Sequence, residues 1–129
     1  MSTIKVVIID DDQNVSKLFE ELIELHNVKV VGIGFNGLHA LSLVEEKKPD
    51  IVFLDTVMPK MNGIDALKEI KKRFPATKII MVTGDNSDDL RKLLEEYGAN
   101  GVIYKPFDMP KILQVFEQVK VQPAVSNNA

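Results

Sequence analysis

Five short apolar runs, rich in valine and isoleucine, recur along most of the chain. They cover residues 5–9, 28–31, 51–54, 78–82 and 101–104. Each run is nearly continuous rather than alternating, which is typical of strands buried on both faces, as in a parallel sheet. The stretches that follow carry apolar residues at helical spacing, such as Leu90, Leu93, Leu94 and Tyr97. Such stripes predict helices packed on the sheet.

The order of these elements predicts the fold class. A strand followed by a helix, repeated five times, indicates a parallel α/β sheet with helices on both faces and right-handed crossovers. Ser87 precedes the fourth helical stretch and Gly98 follows it, where a helix start and a C-cap are expected. The polar segment 122–129 has no periodicity and predicts a disordered tail or a linker stub, so the folded domain is expected to span residues 1–121.

Composition narrows the class of protein. A chain of 129 residues suits one domain. The absence of cysteine excludes disulfides and thiolate metal sites. No apolar run approaches the length of a membrane span, and the N-terminus lacks signal-peptide features, so we expect a cytoplasmic protein. The net charge of −3 argues against a basic face for nucleic acid.

Polar residues follow four of the five runs. In chain order they are Asp10, Asp11 and Asp12, then Asp55, then Thr83, and finally Lys105 with Pro106. The second run ends at Gly32, which offers no side chain. Ligands of open parallel sheets bind outside the carboxyl ends of the strands, where strand order reverses. The candidate chemistry therefore comes from the first, third, fourth and fifth strands.

The carboxylates would meet if the first and third strands flank that reversal. Clustered carboxylates repel one another, and a divalent cation relieves the repulsion. With oxygen ligands alone, Mg²⁺ suits best. One carboxylate could then attack phosphorus and become an aspartyl phosphate. Lys105 could neutralise the developing charge and Thr83 could donate a hydrogen bond.

Four motifs resemble one known family. They are VVIIDDD at the first strand, VFLDTVMPKMNG at the third, IIMVTG at the fourth and YKPF at the fifth. In this order and spacing, from about residue 4 to 120, the chain resembles the receiver domain of bacterial and archaeal response regulators in two-component signalling. The resemblance implies a flavodoxin-like, doubly wound five-stranded parallel sheet with strand order 2-1-3-4-5.

The resemblance also implies a metal and an acceptor. Asp55 would be the phosphoacceptor and also contact Mg²⁺. Asp11 would ligate the ion directly, and Asp10 would assist, through water. The backbone carbonyl of Val57 would be the third protein ligand.

The remaining site residues follow in the same way. Thr83 would hydrogen-bond the phosphoryl group, and the small Gly84 would leave room for it. Lys105 would pair with a phosphoryl oxygen, and its bond to Pro106 is expected to be cis, which X–Pro bonds adopt at low cost.

By the same resemblance, the chain is a signalling switch and not a turnover enzyme. Its phosphoryl donor would be a histidine kinase or a phosphotransfer protein. With no second domain visible, it would act as a stand-alone regulator on a partner protein. The fourth helix, fifth strand and fifth helix would form the output face or a homodimer surface.

Two positions depart from the family pattern. The aromatic residue usual three positions before the lysine is replaced by Val102, while Tyr104 adjoins Lys105, so the usual threonine–aromatic switch is in doubt. Val57 stands where the family often has a polar side chain that assists water, which predicts slow loss of the phosphoryl group.

Two alternatives remain open. The glycines Gly32, Gly34 and Gly37 match a dinucleotide-binding fingerprint, with Asp55 further on, although a tight strand–helix turn explains them equally. A haloacid-dehalogenase-like phosphohydrolase would use Asp10 as nucleophile and Asp12 as acid, but its later acidic motif is missing. The histidines, His26 and His39, are expected to lie away from the strands' carboxyl ends, without a catalytic role.

Overall fold

The computed structural model describes residues 3–24, 27–58 and 60–123. Strands and helices alternate along the chain, and their bounds are β1 (Ile4–Ile9), α1 (Gln13–Glu24), β2 (Val28–Gly34), α2 (Gly37–Lys47), β3 (Ile51–Asp55), α3 (Gly63–Arg73), β4 (Lys78–Thr83), α4 (Asp88–Glu96), β5 (Gly101–Tyr104) and α5 (Met109–Lys120). None of the described helices is long and apolar enough to cross a bilayer.

The five strands form one parallel sheet in the order β2-β1-β3-β4-β5. Strand order reverses between β1 and β3, so the predicted fold class and topology are confirmed. Every residue of β3 is buried, as expected of a central strand covered on both faces.

Helices cover both faces of the sheet and divide the core in two. On one face, α1 and α5 pack Phe19 and Phe116 against Phe53 of β3, with ring centroids 4.8 and 6.3 Å away. On the other face, α2, α3 and α4 bury Val44, Leu67 and Leu94. Because side chains alternate along a strand, each strand feeds both clusters. This alternation also decides which way the residues at each strand's end project.

The strand β2 is longer than predicted, and this changes the interpretation of its glycines. Gly32 and Gly34 lie within β2, paired with β1, so the expectation that they form a turn is wrong. Gly37 begins α2, where its N–H donates to the Met61 carbonyl at 2.9 Å. A Cβ on Gly37 would lie 2.2 Å from that oxygen, so this glycine is required by close backbone packing.

The ends of α4 and α5 bear on the predicted boundaries. Ser87 caps α4 by accepting a hydrogen bond from the Leu90 N–H, and Gly98 follows the helix with a φ of 92°, as predicted. Gln122, the first residue of the predicted tail, exchanges two hydrogen bonds with Asn100. Residues 124–129 lie outside the described residues, so the disordered tail remains a prediction.

Candidate functional site

Three predicted site residues project from the same face of the sheet. Asp10 and Lys105 follow β1 and β5 directly, and Asp55 ends β3. The residues two positions earlier, which all belong to the cluster under α1 and α5, are Ile8, Phe53 and Ile103. Strand alternation therefore places Asp10, Asp55 and Lys105 together at the carboxyl edge on the α1–α5 side.

The carboxylates form a tight group. One oxygen each from Asp10, Asp11 and Asp55 lies within 4.8 Å of the others. The Lys105 ammonium lies 3.6 Å from an Asp10 oxygen and 3.5 Å from an Asp55 oxygen. Asp10 and Asp55 are 4% and 5% exposed, whereas Asp11 is exposed to solvent. The structure thus brings together the residues predicted to surround the metal and the phosphoryl group.

Backbone hydrogen bonds fix these residues in place. The Asp10 N–H donates to the Gly34 carbonyl at 3.1 Å, and the Lys105 N–H donates to the Thr83 carbonyl at 2.7 Å. The Lys105–Pro106 peptide bond is cis, as expected. Each residue therefore continues the hydrogen bonding of its strand, and the sheet sets the spacing between them.

The charge balance of the site favours a cation. Burial raises the pKa of Asp10, and the neighbouring Asp55 carboxylate raises it further, while the Asp12 N–H and Lys105 act in the opposite direction. One ammonium cannot balance three carboxylates. Their donors are all hard oxygens, so the residues fit a divalent ion such as Mg²⁺.

The other predicted residues surround this group without all touching it. The Val57 N–H donates to an Asp55 carboxylate oxygen at 3.3 Å, while its side chain is 77% exposed. Gly84 is exposed, and a Cβ there would meet nothing within 4 Å. Thr83 is 2% exposed, and its hydroxyl bonds Thr56 and Asp85 rather than the carboxylates.

Thr56 was missed by the sequence analysis. It follows Asp55 directly, is 6% exposed, and its hydroxyl oxygen lies 3.0 Å from that of Thr83. A hydroxyl at the end of an otherwise apolar strand was the available signal. Its partner depends on the register between β3 and β4, which no local pattern specifies.

Two further expectations have structural outcomes. Tyr104 is paired in register with Thr83, while Val102 packs in the cluster under α2, α3 and α4. The Nδ1 atom of His39 accepts from the Phe35 N–H, directly after β2, so His39 does lie near a strand's carboxyl end. His26 lies outside the described residues.

A parallel sheet of order 2-1-3-4-5 with three carboxylates and a lysine at its switch point defines a receiver-type α/β domain. The family described as response regulator receiver domain matches residues 6–117. The chain belongs to this family of two-component signalling proteins, whose receiver domains act in signalling and not as enzymes. The dinucleotide-binding and phosphohydrolase alternatives are thereby replaced.

Individual proteins agree with this assignment. The chain is 35% identical to the chemotaxis protein CheY of Thermotoga maritima over 115 residues, which is 89% of this chain and 96% of that protein. The response regulator domain of Thermotoga maritima CheB is similar in structure, with a TM-score of 0.85, 30% identity and coverage of 95% and 100%. A Borrelia burgdorferi CheX–CheY–BeF₃–Mg²⁺ complex gives a TM-score of 0.87 at 28% identity, with coverage of 92% and 90%.

Proposed function

We propose that the chain accepts a phosphoryl group on Asp55 from a phosphohistidine of a kinase or phosphotransfer protein and then signals to a partner protein. The observation that carries the proposal is the buried carboxylate group of Asp10, Asp11 and Asp55, with Lys105 within 3.6 Å of two of them. Family membership supports the donor class. It also supports a cytoplasmic location.

Asp55 is the proposed nucleophile. Its carboxylate oxygen would form the new O–P bond while the P–N bond of the phosphohistidine breaks and the imidazole nitrogen keeps the electron pair. The Val57 N–H, 3.3 Å from one carboxylate oxygen, leaves the other oxygen free to face Lys105. Asp55 is therefore oriented by its own chain before a donor arrives.

The proposed cation would be held by Asp10, Asp11, Asp55 and the Val57 carbonyl. Mg²⁺ at this position would neutralise charge on the phosphoryl oxygens. Lys105 would pair with one phosphoryl oxygen, since its ammonium already faces Asp55 at 3.5 Å. The Thr83 hydroxyl would donate to another, and Gly84 would leave space beside it.

The output remains a proposal based on the family. The added charge of about −1.5 to −2 would draw Thr83 and Lys105 together and shift β4 and β5. The face of α4, β5 and α5 would then change and contact a partner protein or a second copy. Val57, whose exposed side chain carries no polar group, leaves hydrolysis of the acyl phosphate unassisted at that position.

Incorporation of phosphate from acetyl phosphate with Mg²⁺ tests the proposal. Wild type should take up about one phosphoryl group per chain, detected by intact mass, and Asp55→Ala should take up none. Asp12→Asn is the matched control, because Asp12 caps the start of α1 through its bond from the Asn14 N–H and lies outside the carboxylate group. Labelling that survives in Asp55→Ala, or is lost in Asp12→Asn, would contradict the assignment.

A further inference from the structure

Two threonine hydroxyls meet in the core beside the acceptor. Thr56 and Thr83 lie at the ends of the neighbouring strands β3 and β4, 6% and 2% exposed, with their hydroxyl oxygens 3.0 Å apart. The Thr56 backbone is fixed on both sides, because its N–H donates to Val82 and its carbonyl accepts from Gly63. The position of the Thr56 hydroxyl is therefore set by the sheet.

The direction of this hydrogen bond follows from counting donors and acceptors. A hydroxyl has one proton and two acceptor sites. Thr83 Oγ1 already accepts from the Asp85 N–H at 3.1 Å. Within the described residues, Thr83 Oγ1 is the bonding partner of the buried Thr56 hydroxyl. Donation by Thr56 satisfies its buried proton, and Thr83 then accepts two hydrogen bonds.

These bonds hold the Thr83 side chain away from the acceptor. Thr56 and Thr83 continue the strand positions that face α2, α3 and α4, as Leu54 and Met81 do. Asp55 projects toward the opposite face. Thr83 must therefore exchange its bonding partners before it can donate to a phosphoryl group on Asp55.

We propose that the Thr56 hydroxyl is a latch that keeps Thr83 in the resting position and so opposes activation. Thr56 acts through Thr83 and is a positioning residue. The inference rests on the proposed function, since it needs Thr83 to move toward a phosphoryl group. Loss of the hydroxyl should favour the activated arrangement by about two- to ten-fold, the ratio expected for one net hydrogen bond.

Thr56→Val removes the hydroxyl with little change of shape, and Thr56→Ser keeps it. Each protein is titrated with beryllofluoride in saturating Mg²⁺, and binding is followed by the backbone amide NMR signals of Thr83 and Gly84. We expect Thr56→Val to reach half-saturation at a two- to ten-fold lower beryllofluoride concentration than wild type, and Thr56→Ser to match wild type. The free Thr56→Val protein should also show these two signals shifted toward their bound positions.

An unchanged or higher half-saturation point in Thr56→Val would overturn the latch, as would Thr56→Ser behaving like Thr56→Val. Wild type failing to bind beryllofluoride would instead overturn the proposed function itself. A crystal structure of the wild-type beryllofluoride complex gives a test that needs no variant. The two hydroxyl oxygens should be more than about 3.5 Å apart there, beyond hydrogen-bonding reach, and an intact bond would refute the latch.

Discussion

Asp10 is the residue on which burial and charge act most clearly. It is 4% exposed, faces two other carboxylates and has only Lys105 and the Asp12 N–H in its favour. Its pKa is raised chiefly by burial, so ionised Asp10 destabilises the folded chain. A cation bound at the carboxylates would remove this penalty.

Asp10→Asn should therefore stabilise the metal-free protein at neutral pH. A raised pKa means that the folded state binds the proton more tightly, so the penalty is absent below the usual carboxyl pKa and grows as pH rises through the raised value. We expect Tm in EDTA to rise by about a few degrees at pH 7 and by less at pH 4. Saturating Mg²⁺ should reverse the advantage at pH 7. An equal gain at both pH values would contradict this account.

At the level of residues, the sequence predicted the carboxylates and the lysine because each directly follows an apolar strand. Asp10, Asp55 and Lys105 need only the rule that parallel strands end at one edge. Thr56 could not be found in this way. Its importance lies in a contact with Thr83, 27 positions away, that exists because β3 and β4 are paired in one particular register.

Among the connecting elements, the segment between β3 and α3 is packed most tightly. Gly63 begins α3, and a Cβ there would lie 1.9 Å from the Asp55 carbonyl oxygen. The Gly63 N–H donates to the Thr56 carbonyl at 2.9 Å. The loop that follows the acceptor is therefore anchored to the end of β3 by backbone contact, and any side chain at Gly63 must displace it.

Gly63→Ala should destabilise the protein by roughly 1–3 kcal/mol, the range for overpacking a filled site. The contact is with backbone atoms, which cannot move aside as a flexible side chain would. Urea unfolding followed by circular dichroism gives the free energy of unfolding. Gly84→Ala is the matched control, since a Cβ there meets nothing within 4 Å. A similar loss of stability in both variants would contradict the explanation.

At the level of elements, strand positions were predicted well except for β2. Four strands agree with the predicted runs within one residue at each end, because their valine and isoleucine runs end at polar residues. The strand β2 continues through Gly32 and Gly34, which resemble loop residues in isolation. Pairing with β1 extends it, and such pairing is a property of the sheet rather than of the local sequence.

At the scale of the whole molecule, the site joins distant parts of the chain. Its carboxylates and ammonium come from residues 10, 11, 55 and 105, on three different strands. A ligand that needs all of them binds the folded chain and not the unfolded chain. Its binding energy is therefore added to the stability of the entire domain.

Beryllofluoride with Mg²⁺ should accordingly raise the Tm of wild type. At a hundred times the dissociation constant the stabilisation is about 2.7 kcal/mol, and differential scanning calorimetry would measure it. Asp55→Ala should show no shift from beryllofluoride, and Asp12→Asn should shift as wild type does. A shift that persists in Asp55→Ala would place the ligand elsewhere on the protein.

The two edges of the sheet are built for different purposes. At the amino edge, Lys71 and the Ile79 N–H both donate to the Asn100 side chain, which also bonds Gln122, while Thr3 borders the same concavity as Lys78 and Lys120. The first and last described residues thus lie on the side opposite the carboxylates. A circular permutant that joins these ends by a short linker and opens the chain between α3 and β4 should keep the acceptor site whole.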